Sequence, residues 1–464
     1  MKNKYLGDGL KKVTALNNLQ SEFPDKDIVL VEKGKAYTPP PKPPKQNTAF
    51  PQHLLNMPGL MGDIYKWIMQ TSYMPQPILA LANTLAFFGA LTGRKVATPS
   101  NLRTNFYVLG VSESGSGKDH SRKCIKHICK AASAQFLLGG EDFSSDSAIL
   151  NAVSKNPSTL FQCDEIGHML DVTINKSSPA YLRGIPPLLT KLFSSASTMY
   201  LGREYADPKR ERTDIDQPNV CIYGTTVPSR LYEAMGPSEF RDGFMGRQLV
   251  FVSETPDPTA NEDAIMGEVP RNITCMVKQW VDRRNESVGD IGSYLENVPE
   301  TIQIDEDAKF LLKEFADECV NEKQWNRDGS GLDSMWARGA EHSKKAALAY
   351  ACSASFTQPI IDARAASWGI DIAKYCITNI CDIAKDHISD TAFGKDELKV
   401  YRVIKNAGDR GVTKSELCRR TQGMKVKQRN EITDSLILSD MVERVEVETN
   451  KPGKNKLVWV AKHV

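Results

Sequence analysis

The spacing of apolar and polar positions divides the chain into stretches of different period. Between residues 51 and 100 the apolar positions recur at helical intervals: Leu54, Leu55 and Met57, then Ile64, Tyr65 and Ile68, then Ile78, Leu81, Leu85 and Phe88. This predicts a helical collar. From 101 to 300 short apolar runs alternate with helical patterns, the signature of an α/β domain with a parallel sheet. Strands are expected within 106–111, 159–163, 219–226 and 248–252. Residues 301–390 return to helical spacing, with helices expected over 305–321 and 335–353. Residues 1–50 are polar and end in the proline-rich run 38–45, which reads as an extended polyproline linker.

Residues 395–464 carry a further pattern: helices over 398–407, 415–421 and 426–438, then strands over 441–448 and 456–461 joined by a polar loop. Three helices followed by a β-hairpin is the order of a winged helix, whose third helix can enter a major groove while the wing touches backbone. Lys425, Lys427 and Arg429 open the third helix, and Lys451 and Lys454 lie on the wing, all candidate phosphate contacts. Winged helices also serve as protein–protein modules.

The candidate chemistry lies in the α/β region. The apolar run ending at Val111 gives way to Ser112-Glu113-Ser114-Gly115-Ser116-Gly117-Lys118-Asp119. A flexible loop after a strand and before a helix lets backbone N–H groups cradle phosphates, with a lysine reaching the β/γ oxygens. Ser114, Gly115, Ser116, Gly117 and Lys118 are therefore the expected phosphate-binding residues. The P-loop pattern would have glycine where Ser112 stands and a hydroxyl where Asp119 stands; aspartate is itself a hard-oxygen ligand for Mg²⁺. A second strand ends in Asp164-Glu165, suited to hold Mg²⁺ and to activate water. The strand 219–226 ends in Thr225 and Thr226, whose hydroxyls can sense a γ-phosphate. Arg247, on a glycine-flanked turn, is placed to project into a neighbouring subunit's site. The segment 199–214, with Arg203, Lys209, Arg210 and Arg212, reads as a hairpin with a basic tip that could grip a nucleic-acid backbone or simply be solvated.

Composition narrows the picture. A chain of 464 residues allows two or three domains, and 41% apolar with 25% charged residues is ordinary for a soluble globular protein. The longest apolar stretch, 77–93, is shorter than a membrane span and contains Asn83 and Thr84, so a buried helix is expected. With no apolar signal-peptide core near residue 1 and ten cysteines lacking any CxxC pair, a cytoplasmic protein with free thiols and no membrane association is the simplest expectation. The net charge of +2 hides an asymmetry: residues 395–464 hold sixteen Lys/Arg against ten Asp/Glu. A basic module of this kind points to a polyanionic partner.

The order of these parts resembles the AAA+ ATPases of phages and mobile elements, related to superfamily-3 helicases and to the helicase half of primase-helicases. The resemblance covers roughly residues 52–390 and rests on the ESGSGK loop, the Asp164-Glu165 strand end and the Gly243–Arg247 turn. It implies a P-loop core with ATP and Mg²⁺ as cofactors, and a ring-shaped homo-oligomer, a hexamer, with its sites at subunit interfaces. It also implies 3′-to-5′ translocation on single-stranded or forked DNA in replication, with priming left to a separate primase or replication protein. Carried over, Lys118 holds phosphates, Asp164 ligates Mg²⁺, Glu165 activates water, Thr225 or Thr226 is the sensor, Arg247 the finger in trans and Arg338 a second sensor; Asp119 departs from the family, which has Ser or Thr there. A replication initiator or loader without processive unwinding, and a nucleotide-binding scaffold or defence ATPase, are the competing readings.

Overall fold

The computed structural model describes residues 29–31, 35–37, 49–167, 169–170, 178–207, 209, 211–234, 243–255, 257–283, 298–327, 331–387, 392–438, 441–447 and 456–462. The proline-rich linker, Arg210, Lys451 and Lys454 lie outside them. The chain divides into two units, 1–48 and 49–464. In the first, Val29–Val31 and Lys35–Tyr37 pair antiparallel.

The second unit is mixed α/β. Its principal sheet has four parallel strands: β1 (Tyr107–Val111), β2 (Ser158–Cys163), β5 (Asn219–Thr226) and β6 (Gln248–Val252), in spatial order β2-β5-β1-β6. Nearly every residue of these strands is buried, as expected for a parallel sheet covered on both faces. The register aligns Val111 with both Thr226 and Val252, and Cys163 with Gly224. All four carboxyl ends therefore finish at one edge. β3 (Met199–Tyr200) and β4 (Ile215–Asp216) pair antiparallel and form the base of the expected hairpin.

The helices of 51–100 are not a separate collar. α1 (Gly59–Thr71) and α2 (Pro77–Thr92) share one apolar core with the sheet residues Val108, Tyr223 and Leu249 and with α8 (Gly339–Ala354) and α9 (Ala363–His387). In α2 proline occupies the first turn, where its missing N–H is harmless, and the fifteen residues that follow are buried. Apolar side chains all round the helix require that burial. Gly89 allows the close approach, since a Cβ there would come within 2.3 Å of the Thr104 carbonyl. α7 (Glu306–Trp325) starts where Asp305 caps the Ala308 N–H at 2.7 Å. No helix among the described residues is long and apolar enough to cross a membrane, and all ten cysteines are free.

Residues 392–462 have a core of their own, built from Val400, Ile404, Leu417, Ile432, Leu436, Val442 and Trp459. Three helices, α10 (Ala392–Lys405), α11 (Lys414–Arg420) and α12 (Val426–Leu438), accompany a three-stranded antiparallel sheet in which β9 (Lys456–Ala461) lies between β7 (Val412–Thr413) and β8 (Val442–Val447). Thr413 and Glu416 form a capping box that fixes the start of α11. The short strand β7 is not among the strands the sequence pattern predicts for this region.

A charged cluster is buried at the amino-terminal edge of the principal sheet. His342 of α8 meets the Gly246 carbonyl through Nε2 at 2.9 Å and is 1% exposed. Burial pushes its imidazole down to about 4, so it is neutral in the fold. An unfolded histidine takes up a proton near pH 6.5, so below that pH the unfolded state binds more protons. Stability should accordingly be highest above pH 6.5 and decline as pH falls towards 4. Thermal melts across this window should show the decline, and His342→Gln should flatten it.

Candidate functional site

The loop 112–118 emerges from the carboxyl end of β1 and runs into α3 (His120–Ala131), at the edge where open α/β sheets bind ligands. Its shape is held from within and from the side. Ser112 Oγ donates to Ser116 Oγ at 2.7 Å, and both side chains are buried. Serine at the position expected to be glycine thus closes the loop on itself. Ser114 and Gly115 are exposed at its tip. Gly117 has φ 87°, and a Cβ there would come within 2.5 Å of the Met74 carbonyl. Gln76 donates to the carbonyls of Ser116 and Thr255, each at 2.8 Å, and accepts from Ser253 Oγ, tying the loop to the end of β6.

The carboxylates converge on this loop. Lys118 Nζ lies 2.7 Å from Glu165 Oε1, with the lysine side chain 9% exposed. Glu165 adopts φ 47°, an uncommon backbone state for a residue with a side chain, and follows the last residue of β2 by two positions. Asp164 Oδ1 accepts from Thr225 Oγ1 at 2.9 Å and from the Glu165 N–H at 3.0 Å. Arg122, one turn into α3, reaches Asp119 Oδ1 at 2.5 Å and Asp164 Oδ2 at 2.9 Å. Burial alone would raise the Asp164 carboxyl, but Arg122, Thr225 and the Glu165 amide together hold it below its ordinary value. Burial would likewise lower the Arg122 guanidinium, and its two carboxylate partners raise it instead. Behind α3, Asn83 donates to Ser121 Oγ at 3.2 Å and accepts from Gln162 at 2.9 Å, fixing the helix against α2 and β2.

Lys118, Asp119, Asp164, Glu165 and Thr225 are thus brought together as the sequence implies. Other predicted site residues are placed differently. Thr226 Oγ1 donates to the Val227 carbonyl at 3.5 Å, whereas Thr225 Oγ1 donates to Asp164, so of the two threonines Thr225 is the one whose hydroxyl reaches a carboxylate. Arg247 does not project outward. Its guanidinium is folded onto the Phe193 ring, donates to the Gly243 carbonyl at 2.6 Å and to Ser194 Oγ at 3.1 Å, and is 8% exposed as a residue. It sits at the amino edge of the sheet, one strand length (about 15 Å) from the loop. Arg338 joins the same buried cluster by donating to Glu341 at 2.6 Å.

The basic positions are also partly spent. Arg203 pairs with Asp146 at 2.6 Å, and Arg212 with Glu204 and Asp214 at 2.6 and 2.8 Å, while Lys209 is exposed. Arg429 is corrected from a surface contact to a structural one: it is 6% exposed and donates to Thr421 Oγ1 and to the carbonyls of Thr421 and Met424. Lys425 and Lys427 are exposed, the latter 4.0 Å from Glu431.

Two contributors escaped the sequence reading. Arg122 stands three residues beyond Asp119, a spacing that places both on one helix face and could have signalled the pair. Gln76 gave no local signal, because its partners lie 40 and 179 residues away.

Two carboxylates and a hydroxyl are hard-oxygen donors of the kind Mg²⁺ takes when nucleotide phosphates supply the remaining ligands. Among the described residues no group of three or more His, Cys, Asp or Glu is arranged to hold a metal ion alone. Comparison with known proteins gives no matching family model and no significantly similar curated protein.

Proposed function

We propose that the chain binds and hydrolyses ATP at the carboxyl edge of its sheet and uses the cycle to move on DNA, as a helicase or translocase of the AAA+ type. The observation that carries this reading is the convergence of Lys118, Asp164, Glu165 and Thr225 around a loop with a buried serine bridge and a left-handed glycine. Lys118 would hold the β/γ oxygens, Asp164 with Asp119 would face Mg²⁺, and Glu165 would orient the attacking water. Bound Mg²⁺ would supply charge neutralisation at the phosphate oxygens. The Thr225 strand lies between the Lys118 and Glu165 strands, so its hydroxyl can report on the carboxylates' position. Residues 392–462 have the element order of a winged helix, and Lys425 and Lys427 at the start of α12 are exposed cations available for a DNA backbone. The ring and its sites at subunit interfaces belong to the same proposal, with an arginine other than Arg247 as the finger.

One observation favours a second reading, a nucleotide-controlled initiator or scaffold. Arg203 and Arg212 of the hairpin are already paired with carboxylates, which leaves less charge for gripping DNA. ATPase rate and nucleotide binding, with and without single-stranded DNA, separate the two. A motor should hydrolyse ATP, be stimulated several-fold by DNA, and lose nucleotide binding in Lys118→Ala. Nucleotide binding without DNA-sensitive turnover would favour the scaffold. Absence of binding by the wild type would reject both.

A further inference from the structure

The hydroxyl expected after the P-loop lysine is replaced here by a carboxylate, which brings negative charge next to where a triphosphate would sit. That should disfavour nucleotide unless something compensates. Among the described residues, Arg122 is the cation paired with both Asp119 and Asp164. A single nitrogen of Arg122, Nη2, lies 2.5 Å from Asp119 Oδ1 and 2.9 Å from Asp164 Oδ2, on a side chain only 7% exposed. The carboxylates themselves are half exposed, at 50% and 46%. The cation is thus fixed and dry while its partners remain open to a ligand.

We infer that Arg122 is a positioning residue that serves as a built-in counter-cation: it offsets one of the two negative charges of the Asp119/Asp164 pair, sets the direction of both carboxylates, and lets the site accept a triphosphate before or without Mg²⁺. This rests on the nucleotide reading above and adds to it the division of labour between protein and metal. Three features of the geometry support it. Asp119 and Arg122 lie three apart at the start of α3, so the helix itself sets their distance. Arg122 Nε is buried without a hydrogen-bond partner, so the guanidinium is held by the carboxylates and its packing. Asp164 Oδ1 is occupied by Thr225 and the Glu165 amide, so Arg122 is the partner that orients Oδ2. Arginine suits this task because its charge is permanent and spread over a rigid fork.

The readout is the ratio of nucleotide dissociation constants in EDTA and in Mg²⁺, measured on the full chain with a fluorescent ATP analogue. It does not depend on turnover. In the wild type the ratio should be modest. Arg122→Gln leaves two uncompensated carboxylates beside the triphosphate, so metal-free binding should weaken most and the ratio should rise about tenfold, the scale of one partly screened charge pair. Asp119→Ser, which keeps the arginine and removes one negative charge, should lower the ratio below wild type. The double variant should return close to it. Arg122→Lys preserves the charge and the buried stem but reaches one carboxylate at a time, so a smaller rise is expected, and it guards against misfolding of the glutamine variant. A folded Arg122→Gln or Arg122→Lys protein that weakens both constants equally, leaving the ratio unchanged, would reduce Arg122 to a packing role and overturn the inference. A wild type that binds no nucleotide in either medium would instead remove the reading on which it rests.

Discussion

Glu165→Gln is expected to bind ATP as tightly as the wild type and to hydrolyse it about 10²–10⁴-fold more slowly, the usual contribution of a positioned general base. The geometry explains the separation. Glu165 Oε1 is 2.7 Å from Lys118 Nζ, so the charge that would orient water and the charge that would hold phosphate neutralise each other before nucleotide arrives. A glutamine keeps the shape and a hydrogen-bond acceptor for Lys118 while removing the negative charge. Lys118 is therefore more readily surrendered to a phosphate, and binding should be equal or tighter. Radiolabelled ATP turnover and equilibrium binding on the same preparation check both halves. Unchanged turnover would remove Glu165 from its role and shift attention to Asp164. Loss of binding together with turnover would make the Lys118–Glu165 pair a structural strut.

Much of this arrangement was legible in the sequence because its signals are local. The strands 219–226 and 248–252, and the helix 426–438, begin and end where the apolar pattern and turn residues put them. Loop 112–118 announces itself through its glycines and lysine, and Asp164-Glu165 through its place at a strand end. What the sequence hid was the direction of side chains and the sharing of cores. Arg247 sits on the expected turn, yet its guanidinium turns inward, because Phe193 and Ser194 from a distant helix offer it a face and an acceptor. Arg429 follows the helical pattern, but α12 presents it to the Thr421–Met424 carbonyls instead of to solvent. The collar dissolved for the same reason: Leu85 and Phe88 pack with Tyr223 and Leu249 from strands more than a hundred residues later, a partnership no window of sequence contains.

The largest loss of stability is expected from Lys345→Met. Lys345 is 2% exposed, with Nζ 3.7 Å from the centre of the Phe193 ring and 2.8 Å from Glu341 Oε1. Burial depresses its ammonium, and Glu341 counters that. For Glu341, burial works to raise the carboxyl, but Lys345, His342 and Arg338 hold it at about 2. Its stabilising contribution is therefore complete above its unfolded value near 4.5 and is lost as pH falls towards 2. Methionine keeps the stem's volume but strands Glu341 with the half-buried Arg338 as its remaining close cation. Breaking one side of a buried pair costs about 3–5 kcal/mol, because the leftover charge stays desolvated. Replacing both, Glu341→Gln with Lys345→Met, should recover much of that, since a neutral pair of similar shape carries no stranded charge. Chemical denaturation of the two variants measures the difference directly. The cluster joins α8 to the Phe193 helix (Ile185–Ser194) and, through His342, to the turn before β6, so its charges weld the helical region to the sheet from the edge opposite the nucleotide loop. If the double variant is as unstable as the single one, that weld depends on the ion pair's own attraction and not on avoiding an orphaned glutamate.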